Sequence, residues 1–334
     1  MILIISTHED VHAQAVMREL AAKGHTGVRL LNLSDFPMQL SLSMRIDNNG
    51  HCDYGLRFPD RMVSMDEVTA VWWRRPQAFG VPPSVKDPAV RHFVMSEAAT
   101  AFQGMWQSSD ALWVNNILRD AAAAHKPWQL TLAKQCGLTI PETLITNNPD
   151  DARQFWAAFP GQIVYKPFTN TMHSWRETRV MKPEEEAQAA AVRLAPVIFQ
   201  KYVAGRDLRI TAIGDRLFAA ETNAADGEYQ VDVRLNTNLK YREHKLPVAS
   251  ENKLLQLMRR IGLEYGAIDM RLTPAGEYVF FEVNPAGQFL YIEMATGMPI
   301  AAALAAHLAS GQPASREHVM ASVPQEEPCH AMLG

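Results

Sequence analysis

The stretch GAIDMRLTPAGEYVFFEVNPAGQF, residues 266–289, decides the fold of this chain. Two apolar segments, AIDMRL and YVFFEVN, flank the turn sequence TPAG, and this pattern predicts an antiparallel hairpin. Alternation along the first strand places Asp269 and Arg271 on one face, and alternation along the second does the same for Glu282 and Asn284. The sequence therefore predicts a hairpin that carries two carboxylates and an amide.

The acid side chain of Glu282 requires a balancing charge. Its strand neighbours Phe280, Phe281 and Val283 are apolar and expected in a core, where an ionised carboxylate costs several kcal/mol unless it is paired. Two carboxylates and an amide oxygen are hard ligands, which favour Mg²⁺ bridging substrate phosphates over zinc or copper. The alternative is a structural ion pair between Arg271 and Glu282, capped by the asparagine. The hairpin alone leaves both interpretations open.

Composition and charge exclude several classes of function. The 334 residues exceed one ordinary core, so two or three domains are expected. A net charge of −4 and a pI of about 6.3 do not indicate the basic surface that binding to nucleic acid requires. The sequence shows neither a secretory signal nor an apolar segment of membrane length, which predicts a cytoplasmic protein without membrane contact. The three widely spaced cysteines support neither a disulfide framework nor a thiolate zinc site.

The N-terminal sequence predicts an α/β domain. Residues 2–7 are typical of a buried strand, residues 10–24 of an amphipathic helix ended by a glycine, and residues 28–33 of a second strand. The connection THED lacks the glycines that a dinucleotide pyrophosphate needs, so no Rossmann cofactor is expected. A hairpin is predicted around residues 48–50, and a long helix over about 88–105.

The motif VWWRRP, residues 71–76, is expected to end a strand, because proline cannot donate a ladder hydrogen bond. Alternation places Trp72 with Arg74 on one face and Trp73 with Arg75 on the other. One arginine must therefore point inward beside a buried indole.

Two lysines stand at the ends of predicted elements. Pro127 suits the first position of a helix that runs to Cys136, so Lys126 lies beside a helix N-terminus, where the macrodipole repels a cation. Lys166 ends the apolar strand QIVYK, and Pro167 follows it. Either lysine can be an exposed, hydrated side chain or the ligand of an anion.

The remaining pattern predicts further elements of the same kind. Residues 183–194 predict a helix, with a proline and three glutamates in its first turn. Residues 197–223 predict a strand followed by a hairpin that turns at Gly214 and Asp215. The aperiodic stretch 169–180 fits a mobile loop, and the tail from about residue 311 has no periodic signal.

Taken together, the motifs indicate a family. HKPWQLTLAKQCGLTIPETLITN, VYKP, FQKYVAGRDLRIT, GAIDMRL and FFEVNPAGQF, in that order, resemble an ATP-grasp ligase over about residues 1–305. The earlier motif VWWRRP is similar to that of the graspetide synthetases, or microviridin-type maturases, which modify ribosomally made peptides. The resemblance implies an α/β (α+β) ATP-grasp fold with an N-terminal pre-ATP-grasp domain. The implied segments are residues 1–118 for that domain, 119–199 for the central subdomain, 200–310 for the C-terminal subdomain with the metal site, and 311–334 for the tail.

The resemblance also implies roles for individual residues. Nucleotide binding is implied for Lys126 and Lys166 at the α and β phosphates, for Gln200, Lys201, Tyr202 and Val203 at adenine, and for Asp207 at the ribose. Contact with the γ-phosphate and an acyl phosphate is implied for Arg209 and Arg234. One or two Mg²⁺ ions would be bound by Asp269, Glu282 and Asn284. Peptide contacts are implied for Arg74, Arg75, Arg176 and Arg179. For the first two of these arginines a structural role, stacked on a tryptophan and paired with an interface acid, is the alternative.

The implied function is ATP-dependent macrocyclisation of a precursor peptide, leader plus core, by a homodimer that uses ATP and Mg²⁺. A carboxyl side chain would become an acyl phosphate and then an ester or amide. Two alternatives are a ligase that adds a free amino acid such as glutamate to a protein or metabolite, and a non-catalytic ATP-binding module. The complete set of candidate metal ligands, together with Arg209, argues against the non-catalytic module.

Overall fold

The computed structural model describes residues 1–168, 179–222 and 240–312. Its helices are α1 Val11–Ala22, α2 Pro88–Gln107, α3 Ile117–Ala123, α4 Lys126–Gln135, α5 Pro149–Ala158, α6 Val248–Ile261, α7 Leu290–Thr296 and α8 Ile300–Ser310. Its strands are β1 Ile2–Ile5, β2 Val28–Leu31, β3 Ser41–Ile46, β4 Cys52–Arg57, β5 Met62–Ser64, β6 Ala70–Trp73, β7 Leu112–Val114, β8 Thr143–Thr146, β9 Ile163–Lys166, β10 Arg179–Val180, β11 Val197–Lys201, β12 Arg206–Ile213, β13 Arg216–Thr222, β14 Arg242–Glu243, β15 Tyr265–Leu272 and β16 Tyr278–Asn284. Short 3₁₀ helices cover Leu33–Asp35 and Met65–Glu67, and a longer one covers Pro183–Leu194. Most of the predicted loop at 169–180 and nearly all of the tail lie outside the described residues.

The N-terminal region contains a parallel four-stranded sheet in the order β2-β1-β6-β7. All four residues of β1 are buried, as expected for a parallel strand covered on both faces. Helix α1 begins after Asp10, whose carboxylate accepts a hydrogen bond from the His12 N–H, and the chain turns at Gly24, where φ is +82°. The predicted α/β domain is confirmed.

Different elements cover the two faces of this sheet. One face packs on α1 and α8, and Ile4, Leu20 and Leu304 lie in their shared core. The other face packs on α2 through Phe102 and Trp106. Because α8 lies near the end of the described chain, the N-terminal domain packs directly on the C-terminal part. The division into four segments stays a prediction.

A second, three-stranded antiparallel sheet, β3-β4-β5, accompanies the N-terminal domain. The hairpin predicted around residues 48–50 is confirmed, since β3 and β4 pair antiparallel across it. Gly50 adopts a φ of +81°, which glycine tolerates without steric cost.

The central part is an antiparallel four-stranded sheet in the order β10-β9-β11-β8, with α5 packed on it. The helix predicted over residues 183–194 is present with the same bounds, and the structure shows that it is a 3₁₀ helix. In a 3₁₀ helix, residues three apart lie on one face. Ala189 and Val192 are so spaced, and both are buried in the same core as Trp156.

The C-terminal part is an antiparallel five-stranded sheet in the order β14-β13-β12-β15-β16. One face packs on α4 and α6 through a core that contains Leu254, Leu257 and Phe280. The hairpin predicted at Gly214 and Asp215 is confirmed, because β12 and β13 pair across it. Other residues of this sheet, among them Phe218 and Tyr265, are buried in the core shared with α1 and α8.

Candidate active site

The acidic hairpin is formed by β15 and β16, which pair antiparallel as predicted. Asp269 lies directly opposite Glu282, so the two carboxylates are cross-strand neighbours on one face. The register shifts between Asp269 and Met270, and Phe281 is the extra residue of a β-bulge. The expectation that Phe281 lies in the core is wrong: it is half-buried, while Phe280 is fully buried.

The first carboxylate faces an arginine from the neighbouring strand. Arg209 lies opposite Asp269 in the β12–β15 register, and its Nη1 donates to Asp269 Oδ1 at 2.7 Å. Its Nη2 donates to the carbonyl of Gln288 at 3.2 Å. Burial alone would lower the pKa of the Arg209 guanidinium, but the Asp269 carboxylate raises it above its ordinary value. Arg209 is thus a fixed cation beside the acid pair.

The second carboxylate faces Lys126, the first residue of α4. Lys126 Nζ lies 2.9 Å from Glu282 Oε2, and both side chains keep about a quarter of their surface exposed. The alternative pairing of Glu282 with Arg271 is not the one observed. Arg271 instead donates from Nε to Asp207 Oδ1 at 2.9 Å and from Nη1 to the Val203 carbonyl at 2.9 Å. The lysine at the helix start therefore contacts the acidic site.

This group of side chains fits a magnesium ion. The carboxylates of Asp269 and Glu282 are partly exposed, and Asn284 lies two residues beyond Glu282 on the exposed edge of the hairpin. Asn284 Oδ1 accepts a hydrogen bond from the Ala286 N–H at 2.9 Å, and an amide oxygen has a second lone pair for an ion. In the described residues no group of three or more His, Cys, Asp or Glu side chains could hold a metal. The donors are hard oxygens, which suits Mg²⁺.

Apart from Lys126 on α4, the residues expected to bind nucleotide lie along β9, β11, the connection that follows β11, and the start of β12. Lys166 is the last residue of β9, and Gln200 is buried in β11, where its Nε2 donates to Thr143 Oγ1 at 3.0 Å. The backbone N–H groups of Lys201 and Tyr202 donate to carbonyls of neighbouring segments.

Arg271 joins the connection between β11 and β12 to the sheet, since it contacts both Val203 and Asp207. No role was predicted for Arg271 beyond the structural pair with Glu282. An arginine within a predicted core strand was the available signal that this residue binds a buried partner.

The candidate peptide-binding arginines separate by exposure. Arg74 is 1% exposed, which favours its structural alternative, whereas Arg75 is exposed. The inward-pointing arginine predicted for VWWRRP is therefore Arg74. Arg179 lies exposed on β10, and Arg176 and Arg234 lie outside the described residues.

Sequence reasoning missed Gln129 of α4. Its side chain is 3% exposed, donates from Nε2 to the Val283 carbonyl at 2.8 Å and accepts from the Val283 N–H at 2.8 Å. It thus satisfies both backbone groups of Val283 on β16, which is an edge strand. A polar residue on the buried face of an amphipathic helix was the available signal.

The fold and the site define an ATP-grasp protein, and two family models divide the chain between them. The MvdD pre-ATP grasp domain matches residues 1–121, and the RimK-like ATP-grasp domain matches residues 123–308. The chain belongs to the RimK-like ATP-grasp family. The predicted fold class and the predicted class of ATP-grasp ligase are confirmed.

Solved structures match almost the whole chain. The macrocyclase MdnC from Microcystis aeruginosa, bound with precursor peptide MdnA, is 29% identical with a TM-score of 0.81, and the match covers 92% of this chain and 99% of that one. A RiPP-associated ATP-grasp ligase from Chryseobacterium gregarium, in complex with ADP and a leader and core peptide, is 26% identical with a TM-score of 0.84, covering 94% and 97%. The resemblance to peptide-modifying ATP-grasp ligases is confirmed.

A relative of another kind matches a shorter region. A D-alanine–D-alanine ligase from Methylorubrum populi is 29% identical over 120 residues, which are 34% of this chain and 38% of that enzyme's length.

Among residues 1–168, 179–222 and 240–312, none of the helices combines the length and apolar character that a bilayer crossing requires.

Replacing Lys166 or Lys126 by alanine is expected to weaken ATP binding by about 1–3 kcal/mol, because each lysine is predicted to make a charge-assisted contact to phosphate. Titration calorimetry with ATP measures the loss. Lys134→Ala, an exposed lysine at the other end of α4, is the control and should bind as the parent does. Parent-like affinity in both variants would return these lysines to the hydrated-side-chain interpretation.

Proposed function

We propose that this protein is an ATP-dependent carboxylate ligase that macrocyclises a ribosomally made precursor peptide. The observation that carries the proposal is the acid pair of Asp269 and Glu282, each facing a cation, in a fold that matches MdnC over 92% of the chain. ATP and a peptide with leader and core segments are its proposed substrates. A homodimer is part of the proposal, and light scattering checks it.

The proposed chemistry follows from the poor reactivity of a carboxylate. A carboxylate oxygen of the peptide attacks the γ-phosphorus of ATP, the bond from that phosphorus to the ADP oxygen breaks, and an acyl phosphate forms. A Ser or Thr hydroxyl, or a Lys amine, then attacks the acyl carbon, loses its proton, and expels phosphate. The ring closes with an ester or an amide, and the products are ADP and phosphate.

The protein's task is to hold two anions together in line. Lys126 and Lys166 would bind the nucleotide phosphates, and Arg209 would face the transferring group. Mg²⁺ held by Asp269, Glu282 and Asn284 would supply further neutralisation of charge. Fixed cations in a partly buried site stabilise developing charge without reorganising, which is the main catalytic contribution expected here.

A second candidate function is addition of a free amino acid to a carboxylate. The match of the RimK-like model and the partial similarity to a D-alanine–D-alanine ligase favour it. The match of the MvdD pre-ATP grasp domain over residues 1–121, which contain VWWRRP, and the matches to peptide-bound ligases over 92% and 94% of the chain favour macrocyclisation.

The test supplies ATP, Mg²⁺ and the peptide encoded by a short reading frame beside this gene, one with repeated Thr or Ser and Asp or Glu. We expect peptide-dependent ADP release and the loss of one water mass per ring in the mass spectrum. Removing the leader should slow the reaction strongly, because divided recognition raises the effective concentration of the core. A mass gain of one amino acid would instead establish the second candidate.

A further inference from the structure

The four residues Pro285–Gln288, here called the post-strand loop, directly follow the candidate metal ligand Asn284. Each of their carbonyl oxygens accepts a hydrogen bond from a side chain. Asn115 Nδ2 binds the first at 3.1 Å, and Arg209 Nη2 binds the last at 3.2 Å. Arg74 Nη1 binds the carbonyls of Ala286 and Gly287, and Tyr265 Oη also donates to Gly287 at 2.7 Å. Side chains rather than secondary structure thus hold this backbone.

Two of these donors belong to the N-terminal domain. Arg74 follows β6, and Asn115 follows β7, so both stand at the same end of the parallel sheet. Arg74 and Ala286 are 212 residues apart in sequence. The N-terminal domain therefore reaches across to the backbone of the site through defined hydrogen bonds.

The guanidinium of Arg74 is also held by a carboxylate of its own domain. Its Nε donates to Asp10 Oδ2 at 3.2 Å, and that oxygen also accepts from Ser6 Oγ at 2.7 Å. Burial would raise the pKa of Asp10, but the Ser6 hydrogen bond and the Arg74 charge hold it below its usual value. Burial and Arg74 lower the pKa of the adjacent His12 to about 4, so the imidazole is uncharged at neutral pH. The cation and its acid form one buried unit, with the other edge of the guanidinium turned to the loop.

The loop has little freedom to move toward the sheet. A Cβ at Gly287 would stand 2.2 Å from Ala267 Cβ and 2.9 Å from Arg209 Nη2, closer than atoms can pack. The backbone of the loop thus runs in direct contact with β15 and with the candidate catalytic arginine. A shift of the loop would displace Arg209, whose Nη2 is bound to Gln288.

The loop also orients the side chain of the candidate metal ligand Asn284. Ala286 donates its N–H to Asn284 Oδ1 at 2.9 Å, and its carbonyl accepts from Arg74. One residue therefore connects the arginine of VWWRRP with the amide that is proposed to bind the ion. Partners that orient metal ligands in this way affect metal affinity and activity by about 10–100-fold when they are changed.

We propose that Arg74 is a positioning residue for phosphoryl transfer: it fixes the post-strand loop and, through it, Asn284 and Arg209. This inference rests on the proposed magnesium site. It assigns to the N-terminal domain a direct part in building that site. Arg74 of VWWRRP thus binds backbone carbonyls and Asp10 rather than an anionic side chain of the substrate.

The test is Arg74→Lys, with Arg61→Lys, an exposed arginine of the same domain, as the matched control. Lysine keeps the charge but cannot bind Asp10 and the two carbonyls at once. The Mg²⁺ concentration for half-maximal nucleotide binding, measured by calorimetry without peptide, should rise about 10-fold or more. Turnover should fall by a comparable factor, with the KM for precursor peptide unchanged. The control should match the parent in every measurement.

Three results would overturn the proposal. Unchanged Mg²⁺ dependence with a raised peptide KM would make Arg74 a substrate contact. A parallel loss of melting temperature, Mg²⁺-free nucleotide binding and turnover would make its role purely structural. If Arg74→Lys does not fold, the variant Tyr265→Phe is used instead. It removes one hydrogen bond to the Gly287 carbonyl and keeps the aromatic ring. An unchanged Mg²⁺ dependence of nucleotide binding in that variant would also overturn the proposal. Because calorimetry needs no peptide, failure to find macrocyclisation leaves this test intact.

Discussion

Glu282→Gln is expected to lower peptide-dependent ADP release about a thousandfold, which corresponds to ~4 kcal/mol of transition-state stabilisation. Glutamine has the same shape but removes one of the two charges proposed to bind Mg²⁺. The fold should survive, because the side chain is partly exposed and its neighbours Phe280 and Val283 keep their packing. ADP release is measured by a coupled assay, and the melting temperature by calorimetry.

The same variant separates metal binding from nucleotide binding. Without Mg²⁺, the nucleotide affinity of Glu282→Gln should equal or exceed that of the parent, since Lys126 no longer pairs with an anion 2.9 Å away. Glu277→Gln is the matched control, because this exposed glutamate lies at the turn of the same hairpin. Near-normal ADP release by a folded Glu282→Gln protein would remove the metal assignment.

Arg209→Lys is expected to slow single-turnover ADP formation about a hundredfold, the cost of losing one preorganised donor at a developing charge. The guanidinium binds Asp269 through one terminal nitrogen and the Gln288 carbonyl through the other. Lysine keeps the charge but lacks the planar fork, so it cannot hold both partners in this geometry. Rapid-quench measurement with precursor peptide reports the effect.

The control for Arg209→Lys is Arg259→Lys on α6, whose arginine pairs with Asp215 on the surface at 2.7 Å. Exposed pairs of this kind contribute little, so the control should behave as the parent. A variant at Arg209 with an unchanged single-turnover rate and only a raised KM for ATP would limit this residue to substrate binding.

Local pattern predicted the acidic hairpin and much of the fold. The turn TPAG and the strands on either side of it follow from alternation and turn chemistry, and the structure contains them. The register that brings Asp269 opposite Glu282 is known only from the structure. Helix α4 was predicted from Pro127 in the same way, and it begins one residue earlier, at Lys126. The bulge at Phe281 did not follow, because an extra residue in one strand leaves no periodic signal when its neighbours are all apolar.

The sequence by itself determined which chemistry this chain carries: two carboxylates and an amide on one hairpin, lysines at element ends, and one inward arginine in VWWRRP. Each follows from periodicities of two or 3.6 residues, which depend only on neighbours along the chain. Tertiary structure alone decided the partners. Glu282 pairs with Lys126 and not Arg271, and Arg74 binds Asp10 and carbonyls 212 and 213 residues away. Such pairings are set when separate domains pack and bury their polar groups, since most buried donors then bond to the acceptors that the packing brings near.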